Sequence, residues 1–368
     1  MHPGVYTYSI GHEAPLGLFI VTYLFLTSVS EGLIILAAYG WWRNTAEWQR
    51  IIVPAVAIGW ITAAIAPFNL LLDLAQPFNF FNLYTSFNPM SPLSWGSWIL
   101  LGYETTVAVF AWGVIRLHIE KQGVTGSFLK TVFAIDILPT GKNGQAIHLL
   151  ARLAGLAAAF FAVALMLYTG ALVSIPFSRT LAANLLVPVL YLASALAVGA
   201  AIFLWLARDE GGKMVVAGLK KLLVGSLVVE LAVLGLILAN TLAPESYGYT
   251  ALSRMFAAHK AIFVLELLLG IVTPMAIVLG MRYPNFGLVI PVILIGSFAT
   301  RLNLVAGLHY VTLTEQEFVQ FEYEWIEGLM IAGLIASCVL LSFIAVKYLH
   351  SRSTSICDIS SNRAAEKA

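Results

Sequence analysis

The chain has 368 residues, of which 60% are hydrophobic and 11% are charged, whereas a soluble globular domain carries roughly 25% charged residues. Together with a mean hydropathy of +0.88, this composition excludes a soluble globular enzyme. The net charge is +1, so the chain has no global positive field of the kind that attracts nucleic acid. The two cysteines, Cys338 and Cys357, form no CxxC pair, which excludes an iron–sulfur centre ligated by this chain alone.

Long apolar runs predict an all-α polytopic membrane protein with nine transmembrane helices. The runs cover residues 16–41, 51–74, 94–117, 147–174, 183–206, 217–242, 259–280, 286–309 and 325–348. We expect residues 1–348 to form one transmembrane domain and residues 349–368 to form a disordered polar tail. The first fifteen residues contain no Lys or Arg, so the first run is expected to be a retained helix.

The distribution of positive charge predicts the orientation of the chain. Fifteen Lys and Arg residues fall on one side of the predicted spans and three on the other, namely Arg179, Arg254 and Lys260. Because cytoplasmic loops retain positive charge, we expect an external amino terminus and a cytoplasmic carboxyl terminus. The predicted outer loop from Gln76 to Leu93 is uncharged and rich in aromatic residues. Two interpretations of this loop stay open: a position in the interfacial belt and a docking surface for a partner protein.

Several carboxylates fall inside the apolar runs, where an ionised side chain costs about 2.5–3.5 kcal/mol. Glu104 and Glu230 fall near the middle of their spans, and Glu31 falls in the inner half of the first span. They either relay protons or form hydrogen bonds across helices, with Arg152 or Arg301 as a neighbour. The histidines lie near the ends of spans, so we expect no haem in this chain.

Three segments carry a resemblance to a known family. They are DLAQPFNFFNLYTSFNPMSPLSWGSWIL at Asp73–Leu100, LYTGALVS at Leu167–Ser174, and ATRLNLVAGL at Ala299–Leu308. In this order they resemble the signature segments of the NrfD/PsrC family, and YLFLTSVSEGLIILAA resembles the family's first helix. The resemblance implies two four-helix bundles, here with one extra helix that contains YEWIEG at Tyr323–Gly328.

The resemblance also implies a function. It points to a quinone-binding anchor in a prokaryotic cytoplasmic (inner) membrane, exchanging electrons between menaquinone or another quinone and docked subunits, with linked proton transfer. The implied partners are a four-cluster, ferredoxin-like iron–sulfur subunit and a molybdopterin catalytic subunit, as in polysulfide, tetrathionate or similar reductases. Two other classes stay open: a secondary transporter or ion channel with intramembrane carboxylates, and an inert membrane anchor.

The candidate quinone contacts follow from the same resemblance. Tyr168 matches the family's quinone-contacting tyrosine and lies about 9 Å from the outer end of its span at about 1.5 Å per residue; an interfacial belt tyrosine is the alternative. The family's His and Asn contacts in the first helix are replaced here by Tyr23 and Ile20. We therefore expect Tyr23 to be the second contact, with Thr22 or His12 as alternatives and core packing equally open.

Further candidates are polar residues near the outer ends of spans two and eight. Asn69 and Asp73 share one helix face. Asp73 matches an acidic family position expected to pass protons to or from the quinone, and a polar residue that simply ends the helix is the alternative. Glu104 and Glu31 complete the candidate proton-transfer residues. Arg301 is a candidate cofactor-binding residue and also a candidate clamp for a carboxylate, either Glu266 or Glu104.

Overall fold

The computed structural model describes residues 17–74, 77–85, 87–121, 133, 140–174, 186–208, 212–241, 260–281, 285–309 and 325–365. Within these ranges the chain is helical without a strand, and nine helices are long and apolar enough to cross a membrane. The expected fold class, an all-α polytopic membrane protein, is therefore confirmed.

Ten helices and one short 3-10 turn make up the described chain. The 3-10 turn is Pro77–Asn79, and α3 is a single turn in the loop before the third span. The helices are α1 (Leu18–Arg43), α2 (Ala46–Asp73), α3 (Asn82–Thr85), α4 (Pro92–Lys121), α5 (Thr140–Ser174), α6 (Val187–Leu206), α7 (Lys213–Thr241), α8 (Lys260–Gly280), α9 (Phe286–His309) and α10 (Trp325–Ala365).

Several helices extend beyond the apolar runs that predicted them. The second span, predicted from residue 51, begins at Ala46, and the third continues to Lys121. Apolarity marks only the part of a helix in hydrocarbon, whereas backbone hydrogen bonds continue into the polar interface. The α10 helix likewise runs to Ala365, past the predicted start of the tail at residue 349. The division into residues 1–348 and 349–368 stays a prediction.

Helix α1 occupies the centre of the packing. It contacts α2, α5, α6 and α9, and 83% of its apolar span is buried. The α10 helix packs mainly on α2 and α1, and only 11% of its span is buried. The grouping into two four-helix bundles plus one helix, and the orientation in the membrane, stay predictions.

Two ends of the helix cluster are distinguished by their side chains. At one end Trp41 of α1 stacks on His148 of α5 at 4.9 Å between ring centroids; we call this the basic end, because Arg43 and Lys121 end α1 and α4 there. At the other end Tyr168 of α5 meets Gly96 of α4. We call it the aromatic end, after the loop from Pro77 to Ser91, where the Phe78 side chain is 94% exposed.

Helices α1 and α6 cross with their backbones in contact. A Cβ on Gly32 would lie 2.0 Å from the carbonyl oxygen of Ala195, and a Cβ on Gly199 would lie 2.6 Å from the carbonyl carbon of Gly32. Small residues permit such close approach between membrane helices. This crossing fixes α1 against α6 and thereby positions the polar side chains of both helices.

Candidate functional site

Tyr168 lies against the first turns of α4, which belong to the signature segment Asp73–Leu100. A Cβ on Gly96 would lie 2.0 Å from Cζ of Tyr168 and 2.2 Å from its hydroxyl oxygen, so only glycine leaves room for the ring. Two residues later, a Cβ on Gly170 would lie 2.5 Å from Cα of Pro188. The YTG segment is therefore packed between α4 and α6, which fixes the depth of the phenol.

Tyr23 brings four of the candidate residues together. It is buried in α1 and interacts electrostatically with Glu31, Tyr168 and Glu104. Of the alternatives to Tyr23, Thr22 donates its hydroxyl to the Leu18 carbonyl oxygen at 2.9 Å, within its own helix, and His12 lies outside the described residues. The structure thus places two phenols and two carboxylates in one region, contributed by α1, α4 and α5, which we call the phenol region.

Tyr84, in the loop at the aromatic end, adds a third phenol near Glu104. Partial burial raises the pKa of Tyr84, and the charge of Glu104 raises it further. The Tyr84 hydroxyl therefore keeps its proton at neutral pH and remains a hydrogen-bond donor.

A buried hydrogen-bonded pair, Tyr103 and Ser30, lies beside this region and was missed by sequence reasoning. The Ser30 hydroxyl donates to the Gly59 carbonyl oxygen at 2.7 Å and lies 2.6 Å from the Tyr103 hydroxyl. Because serine has one hydroxyl proton, Tyr103 is the donor to Ser30. The available signal was the position of Tyr103 directly before Glu104.

Glu31 connects the phenol region with a second polar cluster. Its side chain is buried, and its Oε1 atom has no hydrogen-bond partner among the described residues. The carboxylate interacts electrostatically with Arg301 of α9 as well as with Glu104. Since burial of an unpaired polar atom is costly, Glu31 is a functional candidate on structural grounds too.

Arg301 is held by serines and an aromatic ring. Its Nη1 donates to Oγ of Ser194 at 2.7 Å, and to Oγ and the carbonyl oxygen of Ser297 at 2.8 and 3.1 Å. The guanidinium carbon lies 5.1 Å from the ring centroid of Tyr191. Among the described residues, its Nε and Nη2 atoms have no hydrogen-bond partner. These hydrogen bonds of Arg301 thus go to serines and not to the expected carboxylate, and the bond to Ser194 connects α9 to α6.

Three buried carboxylates surround this one guanidinium. Arg301 interacts electrostatically with Glu230, Glu31 and Glu266. Glu266 accepts a hydrogen bond from Nδ2 of Asn303. We call Glu31, Glu230, Glu266 and Arg301 the central acidic cluster. It contains more acidic groups than fixed positive charges, and its members come from α1, α7, α8 and α9.

Asn69 and Asp73 lie at the aromatic end of α2. Asn69 is fully buried, donates from Nδ2 to the Ala66 carbonyl oxygen at 3.2 Å, and has an unpartnered Oδ1 among the described residues. Asp73 is exposed, and a Cβ on Gly17 would lie 3.4 Å from its Oδ1. Asp73 thus lies beside the start of α1, nearer the surface than Tyr23.

Arg152 is not the neighbour expected for the intramembrane carboxylates. Its Nη2 donates to the Trp42 carbonyl oxygen at 3.3 Å, and its guanidinium carbon lies 3.9 Å from the Trp42 ring centroid. This cation–π contact holds Arg152 at the basic end. In the part of the chain that the structure describes, no group of three His, Cys, Asp or Glu side chains is arranged to hold a metal ion.

A match to a protein-family model shows to which family the chain belongs. The family model described as "Polysulphide reductase, NrfD" matches residues 9–320. The chain belongs to the NrfD family. The resemblance found in the signature segments is therefore confirmed, and the match includes the phenol region and the central acidic cluster.

Curated relatives of this NrfD protein are named as parts of several complexes. A polysulfide reductase chain of Wolinella succinogenes is 28% identical over 49% of this chain and 54% of the relative. A selenate reductase subunit of Mesobacillus selenatarsenatis is 25% identical over 53% of this chain and 48% of the relative. The Hdr-like menaquinol oxidoreductase integral membrane subunit of Archaeoglobus fulgidus is 24% identical over 94% of this chain and 89% of the relative.

The chain spans about half the length of the first two of these relatives. The names of the three relatives describe a chain or subunit of a reductase or oxidoreductase, and one of the names states an integral membrane subunit. The nine apolar helices and the family together make this chain a multi-pass integral membrane protein.

Proposed function

We propose that this NrfD protein is the quinone-reactive membrane subunit of a respiratory oxidoreductase complex in a prokaryotic cytoplasmic membrane. It exchanges electrons between the menaquinone pool and a docked, ferredoxin-like iron–sulfur subunit, which serves a molybdopterin catalytic subunit. The names of the relatives support this class, since one contains the word menaquinol and two name a reductase. They differ in terminal substrate, and this chain does not specify one.

The observation that carries the proposal is the pairing of Tyr168 with Tyr23 in electrostatic range of Glu104. A quinone site needs two hydrogen-bonding groups for the ring oxygens and an apolar slot for the ring. Phenols on α5 and α1 fit the first requirement, since each can donate and accept. Exposed apolar side chains on α4, including Trp98 and Leu101, suit the isoprenoid tail. A bound quinol supplies two electrons and two protons.

Residues of this chain handle the protons. Glu104 lies in electrostatic range of Tyr23 and is a candidate acceptor or donor of protons. Asp73, exposed at the aromatic end, exchanges protons with the outer aqueous phase. Glu31 and the central acidic cluster extend the chain of ionisable groups into the membrane, and we assign to them the holding and transfer of protons linked to the redox reaction.

The proposed partner surface is the aromatic end. Phe78, Phe81, Phe87 and Met90 are exposed in its loop, and Trp95 donates from Nε1 to the Pro89 carbonyl oxygen at 2.9 Å, which fixes the loop on α4. An exposed apolar patch of this kind marks a contact surface. A partner docked there would receive electrons near Tyr168, because Gly96 of the same segment touches that ring.

The deciding experiment is Tyr168→Phe in the purified complex, with Tyr39→Phe as the matched control. Tyr39 is an exposed residue at the basic end of α1. Oxidation of a soluble menaquinol analogue should fall about fivefold in Tyr168→Phe, as expected for the loss of one hydrogen bond of about 1 kcal/mol. Activity with a water-soluble dye that donates directly to the partner subunits should be unchanged.

Unchanged menaquinol oxidation in Tyr168→Phe would contradict the proposal and favour the inert anchor. A chain that purifies alone, without quinone, and moves protons or ions across liposomes in the absence of redox partners would favour the transporter class. Membrane-attached dye activity distinguishes an unchanged complex from a disassembled one, because partner subunits that dissociate carry their dye activity into the soluble fraction.

A further inference from the structure

A long apolar groove lies between α10 and the rest of the chain, away from Tyr168 and Gly96. Its volume is 620 Å³, and its walls come from α1, α2, α6, α9 and α10. The lining is aliphatic and aromatic except for Gly287, Thr62, Cys338 and Ser342. The volume falls within the range of about 300–1,000 Å³ that ligand sites occupy, yet nothing in the proposed quinone reaction uses this groove.

The groove is one membrane leaflet deep. At one limit it is lined by Trp205, Gly287 and Val346, which lie at the basic end of α6, α9 and α10 respectively. At the other limit it is lined by Phe25 and Phe298. From Gly287 to Phe298 the helix rises about 16 Å at about 1.5 Å per residue, or about half of the ~30 Å hydrocarbon core. The groove thus runs from the basic end to the middle of the membrane.

Positive side chains surround the mouth of the groove. The Arg208 guanidinium carbon lies 5.3 Å from the ring centroid of Trp205. The Lys220 ammonium lies 5.6 Å from the ring centroid of Phe286, the residue before Gly287. Lys347 is exposed and follows Val346 on α10. Basic pockets between membrane helices at the positively charged side are typical sites for anionic lipid headgroups.

We propose that this groove binds an anionic phospholipid, with one acyl chain along the apolar lining and the phosphate among Arg208, Lys220 and Lys347. An acyl chain matches the groove in polarity and in depth, and the phosphate matches the charge at its mouth. The bound chain fills the space between α10 and α9. It thereby supplies contacts to a helix of which the protein itself buries only 11%.

The test uses the purified complex in vesicles that contain spin-labelled phosphatidylglycerol, with spin-labelled phosphatidylcholine as the neutral probe. Ser342→Trp fills the groove, whereas Ser337→Trp makes the same change at an exposed position of α10 outside it. Electron spin resonance should show immobilised phosphatidylglycerol in the wild type and in Ser337→Trp. Ser342→Trp should lose the immobilised fraction that corresponds to one lipid per chain.

The headgroup is tested with Arg208→Gln/Lys347→Gln and with the control Arg43→Gln/Lys121→Gln, which removes equal charge at the same end. The first pair should lose the preference for phosphatidylglycerol over phosphatidylcholine, and the control should keep it. Equal immobilised fractions in Ser342→Trp and Ser337→Trp would overturn the site. Equal retention of both lipids by the wild type would overturn the anionic headgroup, and displacement of the lipid by an added menaquinone analogue would overturn the lipid as occupant.

Discussion

The position of the Tyr168 ring depends on residue 96 being a glycine, because a larger residue would overlap the ring. We predict that Gly96→Ala displaces the phenol, because the new Cβ would lie 2.0 Å from Cζ of Tyr168. The KM for a menaquinol analogue should rise about tenfold, equivalent to ~1.4 kcal/mol of lost binding. The control is Gly218→Ala, where a Cβ meets nothing within 4 Å. A normal KM in Gly96→Ala would show that the phenol does not contact the quinone.

Glu31 tests whether the central acidic cluster takes part in proton transfer. Glu31→Gln keeps the shape of the side chain and removes the titratable group, so menaquinol turnover should fall about tenfold or more if Glu31 transfers protons. Glu47→Gln, at the start of α2, is the control and should retain full turnover. Full turnover in Glu31→Gln, with the thermal midpoint unchanged, would show that this carboxylate takes no part in proton transfer.

Single residues were predictable where a motif or an isolated charge identified them. Tyr168, Tyr23, Glu104 and Glu31 were all named from the sequence, and the structure brings them together. The serines that hold Arg301 were not predictable, because Ser194 and Ser297 are far apart in the chain and serine is an ordinary residue in membrane helices. Their assignment required the helix packing. The roles of all these residues stay predictions.

At the scale of the helices, the α1–α6 crossing is a contact that is sensitive to side-chain size. Gly199→Ala should lower the stability of the complex by about 1–3 kcal/mol, as overpacking does, because the new Cβ would overlap the backbone of Gly32. The matched control is Gly225→Ala on α7, where nothing lies within 4 Å; there we expect no loss. The measurement is the thermal midpoint in detergent, and equal midpoints would contradict a tight crossing.

Helix positions were predictable because about 20 apolar residues suffice to span hydrocarbon. The ends were less predictable, since polar turns such as the start of α2 at Ala46 continue the backbone hydrogen bonds outside the lipid. The π-helical segment Glu266–Val272 inside α8 has no hydropathy signal at all. It depends on tertiary contacts, among them the approach of Gly270 to Gly296, whose Cβ would lie 1.9 Å from Cα of Gly270.

For the whole molecule, the excess of positive charge at the basic end predicts that this end faces the cytoplasm. Met90 in the aromatic loop and Met214 at the start of α7 are 89% and 80% exposed, so they form a matched pair for labelling. In a Cys338→Ser/Cys357→Ser background, Met90→Cys should react with a membrane-impermeant maleimide in intact spheroplasts. Met214→Cys should react only after lysis, and the reverse pattern would invert the topology.

The architecture as a whole was the most predictable level, since composition alone excludes a soluble protein and hydropathy alone locates nine spans. What hydropathy could not give is which spans touch. The central position of α1 and the peripheral position of α10 follow from side-chain packing between segments distant in the chain, and neither property is encoded in the apolarity of a single run.

The π-helical segment has a consequence for the number of residues within α8. A π turn accommodates one residue more than the α-helical turn it replaces, so deleting a single residue between Leu267 and Ile271 would restore a regular α-helix. That deletion would rotate Glu266 by about 100° relative to the following turns, away from Asn303. In related proteins that lack this residue, we therefore expect the acidic side chain equivalent to Glu266 to lie on a different face of the helix. A one-residue gap at this place in an alignment would then indicate that the carboxylate has changed position.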